Sequence, residues 1–235
     1  MAKRAWLLLP VILVLVVATL PAQLLAPRLG LPAGVTQIGG TIWSGRAVWQ
    51  QSGWQPLAVS WRWRGGLDWR WQADGGQSAL EGRWRPGAVA VLPEVRGRLD
   101  VERLDLVHWL EIARPVGSLQ LDLVDVVLAD GAAPQASGEA IWRQAGLTGA
   151  IQEPLGEIEI TVEQAEDGLR LLVRSLRPAP VQIRGSIVLT TGRYEADLWL
   201  RAASGRPRLT AALAELGQLQ PDGQIRLQVG GRTGL

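Results

Sequence analysis

The chain of 235 residues contains no cysteine and a single histidine, and these scarcities exclude several kinds of functional site. Without cysteine there is no disulfide, no thiolate metal site, no cysteine nucleophile and no lipid-modified N-terminal cysteine. The lone histidine, His108, excludes a metal site built from a histidine cluster. The formal net charge is only +2, which argues against nucleic acid as a partner. Function must therefore rest mainly on backbone, surface shape and aromatic side chains.

The N-terminus carries an uncharged run that begins at Ala5 and ends at Ala26, directly after Lys3 and Arg4. As a helix this run would measure about 33 Å, which matches the hydrocarbon thickness of a bilayer. The favoured interpretation is an uncleaved anchor that spans the membrane once, with residues 1–4 in the cytoplasm and the bulk on the far side. The alternative is a signal peptide cleaved after Ala18. Both interpretations export the rest of the chain and exclude a soluble cytoplasmic enzyme.

Beyond Gly39, apolar and polar residues alternate with a period of two, as in residues 58–73 and 181–202. Paired glycines and Asp-Gly or Thr-Gly dipeptides separate these stretches and predict tight turns. Two stretches instead suit short amphipathic helices, one starting at Leu99 and one running from Pro207 to a stop at Gly217. The sequence therefore predicts a mostly β fold with an antiparallel, curved sheet.

The exported part also resembles itself. Matching segments start at Gly40 and Gly138 and at Pro56 and Pro154, both 98 residues apart, and further matches occur at Gly82 and Gly185 and at Gly117 and Gly223. We interpret these matches as two β repeats, residues 38–136 and 137–235, that follow a linker at residues 27–37 and have one short helix each. Chance alignment of glycine-bounded strands is the alternative. Whether the repeats share one sheet or form two lobes stays open.

The order of these features resembles the type II secretion system protein N family. The resemblance rests on GTIWSGRA at residues 40–47, the Trp-Arg-Trp strand, SGEAIW at 137–142, PLGEIEI at 154–160 and the closing segment at 215–231. It implies an inner-membrane, single-pass accessory protein with a periplasmic domain, in the machinery that moves folded periplasmic proteins across the outer membrane. Other inner-membrane subunits would be its partners. The resemblance implies no enzymatic activity and no cofactor.

Candidates for catalytic or metal chemistry are few. His108 follows Asp105 by three residues, but a half-buried helix histidine explains it better than a catalytic triad does. Glu157, Glu159 and Glu163 share one strand face, where a solvated acidic edge is a better interpretation than a weak calcium site. No glycine-rich phosphate loop opens a helix. We therefore expect no catalytic, cofactor or metal site.

Tryptophan is the residue type with binding potential, because 12 tryptophans stand beside one tyrosine and no phenylalanine. A chain without phenylalanine needs large side chains for its core, so core packing is one interpretation. The other is an interaction surface, for which the candidates are Trp43, Trp61, Trp63, Trp69, Trp71 and Trp84. This part of the chain is also rich in arginine, with eight arginines against four acidic residues between positions 46 and 98, which would suit a membrane-proximal position.

The hairpin at residues 61–71 gives a sharper expectation. A three-residue loop would pair Trp63 with Trp69 and Trp61 with Trp71, whereas a two-residue loop would put the tryptophans on opposite faces. Because indole burial outweighs the opposition of two arginines, the sequence predicts the odd-length loop, with a glycine bulge at positive φ.

Two function classes remain. The first is an interaction component of the secretion machinery. The second is a periplasmic β-groove module, anchored in the inner membrane, that contacts lipids or other amphiphiles through an apolar sheet face. A carbohydrate-binding sandwich would rest on exposed tryptophans alone.

Overall fold

The computed structural model describes residues 17–25, 34–50, 55–85, 90–103, 113–128, 134–149 and 152–232. In this part of the chain, 14 strands form one antiparallel sheet. Each strand from β1 to β11 pairs with the next along the sequence, and β14 lies between β12 and β13. The strands are β1 (Val35–Gly40), β2 (Ser44–Trp49), β3 (Leu57–Gly65), β4 (Asp68–Gly75), β5 (Ser78–Arg85), β6 (Ala90–Asp100), β7 (Ala113–Leu128), β8 (Gln135–Gly149), β9 (Glu153–Ala165), β10 (Gly168–Ser175), β11 (Val181–Thr190), β12 (Arg193–Ala202), β13 (Gln218–Leu219) and β14 (Ile225–Arg232).

The predicted antiparallel β fold is thus confirmed, and the open question about the repeats has an answer. The junction predicted at residues 136 and 137 lies near the start of β8, which pairs with β7 on one side and β9 on the other. The two halves therefore share one continuous sheet.

The helices are short. Those that lie wholly within the described residues are α1 (Ala22–Leu25), a 3-10 turn (Val101–Arg103) and α2 (Pro207–Leu216). The second amphipathic helix was predicted with the correct ends. The first was wrong at its start, because Leu99 continues strand β6 and is buried opposite Leu119. The rest of that stretch, including His108, lies outside the described residues.

Only residues 17–25 of the predicted anchor from Ala5 to Ala26 are described, and helix is interrupted within them. Val17 and Ala18 are helical, but Leu20 and Pro21 are not, and Pro21 forms a β-bridge with Thr41. Proline lacks the backbone N–H that a helix interior requires, which explains a break at this position. Among the described residues no helix has the length and apolarity needed to cross a membrane. Residues 5–16 lie outside the described part, so the membrane anchor stays a prediction.

The sheet has two chemically distinct faces because its register keeps the alternation of each strand in phase with its neighbours. Residues on one face are mostly apolar, and the other face carries most of the charged side chains. We call the first the apolar face, which includes Trp61, Ala73, Leu80, Val95, Leu121, Ala140, Ile160, Val173, Leu198 and Leu227. We call the second the charged face, which includes Arg62, Arg70, Arg83, Arg96, Asp122, Glu139, Glu159, Arg174, Arg184 and Asp197.

The largest buried cluster lies where α2 packs on the apolar face. Leu209 and Leu213 of α2 are buried there against Ile158, Val181 and Ile225. Ile225 has no exposed surface at all. Helix α2 therefore covers one part of the apolar face, in the second half of the sheet.

Glycines and bulges give the sheet its curvature. Gly185 has φ of 149°, and a Cβ atom there would lie 2.2 Å from the carbonyl oxygen of Asp197 on the next strand. Gly82, its counterpart in the first half by the sequence match, approaches the carbonyl oxygen of Glu94 in the same way, at 2.0 Å. Register shifts interrupt several strand pairs, among them β3 with β4 and β8 with β9. Such features bend strands, so the sheet is curved.

Candidate functional site: the tryptophan cluster and the β3–β4 hairpin

The β3–β4 hairpin has the register predicted from its sequence. Trp61 lies opposite Trp71 and Trp63 opposite Trp69, so the four indoles occupy the apolar face. The register shifts between Trp63 and Gly65, where φ of Gly65 is 131°. A glycine bulge at positive φ therefore sets the phase of the hairpin, as expected.

The tryptophans form a chain of ring contacts. The Trp43 ring lies 4.9 Å from the Trp63 ring in an edge-on arrangement and 6.5 Å from the Trp69 ring in a stacked one. Trp69 in turn lies 6.0 Å from Trp84 on β5. These distances are in the range where aromatic pairs add stability beyond their area burial. The six candidate residues include these four and the cross-strand pair of Trp61 and Trp71, and we refer to all six as the tryptophan cluster.

Backbone carbonyls satisfy most of the indole N–H groups. Within the tryptophan cluster, Nε1 of Trp69 donates to the carbonyl of Ile42 at 2.8 Å, and Nε1 of Trp63 donates to that of Gly66 at 3.0 Å. Three further bonds join Trp43 to Val17, Trp61 to Thr41 and Trp71 to Arg83. Five of the six rings are thus fixed in place by hydrogen bonds, so the cluster is a packed unit.

Burial differs among the members of the cluster, which supports the core interpretation for two of them, and the interaction surface stays a prediction. Trp69 and Trp84 are 7% and 8% exposed and belong to the core. Trp63 is 41% exposed at the end of the hairpin, and the remaining members lie between these limits. The cluster therefore has a buried side made by Trp69 and Trp84 and an open side at Trp63.

The tryptophan cluster also holds the described end of the N-terminal apolar run. Nε1 of Trp43 donates to the carbonyl of Val17 at 2.8 Å, and the backbone N–H of Ile42 donates to that of Leu20 at 3.1 Å. Gln23 reaches the carbonyl of Ile38 on β1, and Ala22 is 2% exposed. Residues 17–25 thus contact β1 and the turn between β1 and β2.

The charged face of the same hairpin is rich in unneutralised arginine. Arg62 lies directly opposite Arg70, and both are exposed, as is Arg64. None of the three makes an ion pair with a described carboxylate. Asp68, at the start of β4, is engaged elsewhere, because Arg83 donates to both of its oxygens at 3.1 and 3.0 Å.

Other arginines of the charged face are paired with carboxylates, and the pair of Arg226 and Asp197 is an example. Arg226 on β14 donates to both carboxylate oxygens of Asp197 on β12, at 2.9 and 2.5 Å, and lies 5.4 Å from the ring of Trp199. These hydrogen bonds stabilise the ionised carboxylate and hold the pKa of Asp197 below its ordinary value. We interpret this arrangement as structural, because the guanidinium group and the carboxylate are both engaged in the ion pair.

Two of the three acidic residues singled out in the sequence form ion pairs with arginines. Glu157 accepts from Arg143 at 3.1 Å, and Glu159 pairs with Arg174. Among the described residues no group of acidic or histidine side chains could hold a metal ion. A groove of about 950 Å³ crosses β5 to β9 on the charged face, and its lining includes Arg96 and Arg143, which are neutralised by Asp122 and Glu157.

Sequence reasoning did not single out Leu67 at the tip of the hairpin. Leu67 is 72% exposed in the turn between β3 and β4, the largest exposure among the large apolar residues of the described part. The signal was present, because a leucine stood in a Gly-Gly-Leu turn where polar residues are usual. Its neighbours on both sides are the Trp-Arg-Trp strands.

Comparison with known proteins gives a consistent result. The family model for "Type II secretion system (T2SS), protein N" matches residues 32–228. One similar protein is "Type II secretion system protein N" of Vibrio cholerae serotype O1 (strain ATCC 39315 / El Tor Inaba N16961), which is 27% identical over 243 aligned positions covering 92% of this chain and 91% of that protein. No solved structure matches the chain.

Proposed function

The chain belongs to the type II secretion system protein N family, and we propose that it is a non-enzymatic accessory component of the secretion machinery. In this proposal the N-terminal apolar run anchors the chain in the inner membrane by a single pass, with the N-terminus in the cytoplasm and the sheet domain in the periplasm. The sheet domain then contacts other inner-membrane subunits, and the machinery exports folded periplasmic proteins across the outer membrane.

The observation that carries this proposal is the attachment of residues 17–25 to the tryptophan cluster. Because Trp43 and Ile42 both bond to this segment, the apolar run continues into a fixed part of the sheet rather than into a free linker. A flexible linker would leave the domain free to tumble above the membrane. The fixed attachment instead supports one orientation of β1 to β4 relative to the bilayer, which suits lateral contact with neighbouring subunits.

Co-purification tests the proposal. The tagged full-length chain is extracted from the inner membrane of its own bacterium in mild detergent, and the bound proteins and lipids are identified by mass spectrometry. We expect other inner-membrane subunits of the secretion system in the sample. A matched variant in which residues 1–16 are replaced by an unrelated membrane-spanning helix separates contacts made by the anchor from contacts made by the sheet. Absence of every secretion subunit from the wild-type sample would contradict the proposal.

A second candidate function, lipid or amphiphile handling, is favoured by one specific observation, the continuity of the apolar face. Apolar residues follow one another across the strands from Trp71 on β4 to Ile160 on β9 and Leu227 on β14. In the second half α2 already covers part of this face through Leu209 and Leu213. An acyl chain would therefore bind on the part of the face that α2 leaves open.

The same purified sample distinguishes the two candidates. Lipid handling predicts phospholipid that stays with the protein in defined stoichiometry after extensive washing. Recovery of such lipid without any secretion subunit would reverse the order of the two candidates.

A further inference from the structure

The tip of the β3–β4 hairpin exposes apolar side chains. Leu67 is 72% exposed in the turn, and Trp63, near the end of β3, is 41% exposed. The indole N–H of Trp63 donates to the carbonyl of Gly66. A tryptophan whose N–H has a protein partner can enter an apolar region without losing a hydrogen bond to water. The tip therefore presents apolar surface on which the indole N–H of Trp63 already has a hydrogen-bond partner.

Three arginines flank this apolar tip. Arg62 and Arg70 lie opposite each other on the charged face, Arg64 precedes the turn, and no described carboxylate neutralises any of them. Like charges directly opposite each other destabilise a strand pair. An anion bound between the two guanidinium groups would remove that cost, and guanidinium binds phosphate oxygens through paired hydrogen bonds.

The tip lies next to the N-terminal apolar run. The Trp63 ring is 4.9 Å from the Trp43 ring, and the Trp63 backbone N–H donates to the Trp43 carbonyl at 2.6 Å. Trp43 in turn bonds to Val17 at 2.8 Å. A single indole thus separates the exposed tip from the described end of the apolar run, so a bilayer that holds the run also meets the tip at its surface.

We propose that the β3–β4 hairpin tip is a membrane-contact site for anionic phospholipid. Leu67 and Trp63 enter the interfacial layer, and Arg62 and Arg70 bind lipid phosphate groups beside them. Tryptophan prefers this layer because its ring is apolar at one end and polar at the other, and arginine reaches head groups while its stem stays against apolar surface. The inference rests on the anchor in the proposed function, because the anchor brings the tip to the bilayer.

Site-specific labelling in full-length protein tests the contact. The chain has no cysteine, so Leu67→Cys and the control Gln77→Cys each give one labelling site. Gln77 lies in the turn at the opposite end of β4. Each variant is labelled with an environment-sensitive fluorophore and placed in nanodiscs that contain a lipid carrying a nitroxide quencher near its head group. We expect the label at Leu67 to lose most of its fluorescence and the label at Gln77 to keep it.

The arginines are tested in the same assay by comparing nanodiscs of phosphatidylcholine alone with nanodiscs of an equal mixture of phosphatidylcholine and phosphatidylglycerol. Quenching at Leu67 should increase in the mixture, and the double substitution Arg62→Gln and Arg70→Gln should abolish that increase. A control double substitution, Arg170→Gln and Arg193→Gln, removes the same charge from distant strands. It should leave the increase in quenching at Leu67 unchanged.

Failure of this inference is distinguishable from failure of the proposed function. A chain that resists alkaline carbonate extraction but shows equal quenching at Leu67 and Gln77 keeps its anchor and contradicts the hairpin contact. A chain released by carbonate contradicts the anchor, and the inference is overturned with it. Quenching at Leu67 that does not depend on phosphatidylglycerol would overturn the role of the arginines.

Discussion

Replacing Trp69 by alanine tests whether the tryptophan cluster is a folding core. Trp69 is 7% exposed, and its ring lies 6.5 Å from Trp43 and 6.0 Å from Trp84. An indole side chain buries about 200 Å², which corresponds to about 5 kcal/mol at about 25 cal/mol per Å². The substitution should therefore lower the free energy of unfolding by about 4 kcal/mol, within the range known for removal of large core side chains.

Trp63→Ala is the matched control, because Trp63 lies directly opposite Trp69 on the same hairpin and is 41% exposed. With about three fifths of its area buried, the same arithmetic assigns it about 3 kcal/mol, and its site opens to solvent, so no closed cavity forms. We expect the loss at Trp69 to exceed the loss at Trp63 by about 1 to 2 kcal/mol. The denatured chain is partly compact, so the difference between the variants is the quantity to compare.

The assay is urea unfolding of the full-length protein in detergent micelles, followed by far-ultraviolet circular dichroism. This signal reports the sheet and is not altered directly by loss of one indole emitter, as fluorescence would be. Equal losses in the two variants, or a larger loss at Trp63, would refute the assignment of Trp69 to the core.

Three further perturbations test other parts of the fold. Gly185→Ala places a Cβ 2.2 Å from a carbonyl oxygen and should lower the melting temperature far more than Gly192→Ala, which meets open space in a turn. Asp197→Asn should lower the urea midpoint at neutral pH, because the ionised carboxylate is stabilised in the folded state. This difference from wild type should vanish as the pH falls through the lowered pKa of Asp197. Deleting residues 1–27 should destabilise the sheet domain by about 2 kcal/mol relative to deleting residues 1–16. The longer deletion removes the carbonyls of Val17 and Leu20, which accept hydrogen bonds from Trp43 and Ile42 in the β1–β2 turn.

The register of the β3–β4 hairpin could be predicted because side-chain parity leaves only two arrangements. Pairing Trp63 with Trp69 buries four indoles on one face, and pairing Trp63 with Asp68 does not. The free-energy difference between these arrangements is several times larger than the cost of opposing two arginines. Where one term dominates in this way, sequence alone decides the local structure.

The N-terminal run could not be predicted in the same way. A hydropathy criterion is satisfied equally well by Leu20, Pro21 and Ala22 whether lipid or protein surrounds them. Apolarity therefore does not distinguish a membrane span from a packed segment. Tertiary contacts supply this information for the described end of the run, where Ala22 is buried and Pro21 pairs with Thr41. Pro21 itself was the available sign that the helix would not run unbroken.

The proposed duplication gains support from the positions of two core residues. Ala47 and Ala145 are 4% and 2% exposed, and Leu57 and Leu155 are 1% and 6% exposed. Each pair is separated by 98 positions, the offset found for the sequence match that contains it. Duplication would reproduce burial at a fixed offset.

The pairing of arginines with carboxylates on the charged face bears on where a functional site lies. Several arginines of this face are neutralised by carboxylates on neighbouring strands, as in Arg83 with Asp68, Arg96 with Asp122, Arg143 with Glu157 and Arg174 with Glu159. In the β3–β4 hairpin Arg62 instead faces Arg70 without a described counter-charge, and Arg193 faces Arg232 in the same way on β12 and β14. Sequences that fold reliably keep local interactions consistent with the fold, and their exceptions concentrate at functional sites. What distinguishes the pair of Arg62 and Arg70 is its surroundings, because it lies beside the most exposed large apolar side chain of the described part and one indole away from the apolar run. A membrane surface at this place would supply the missing negative charge.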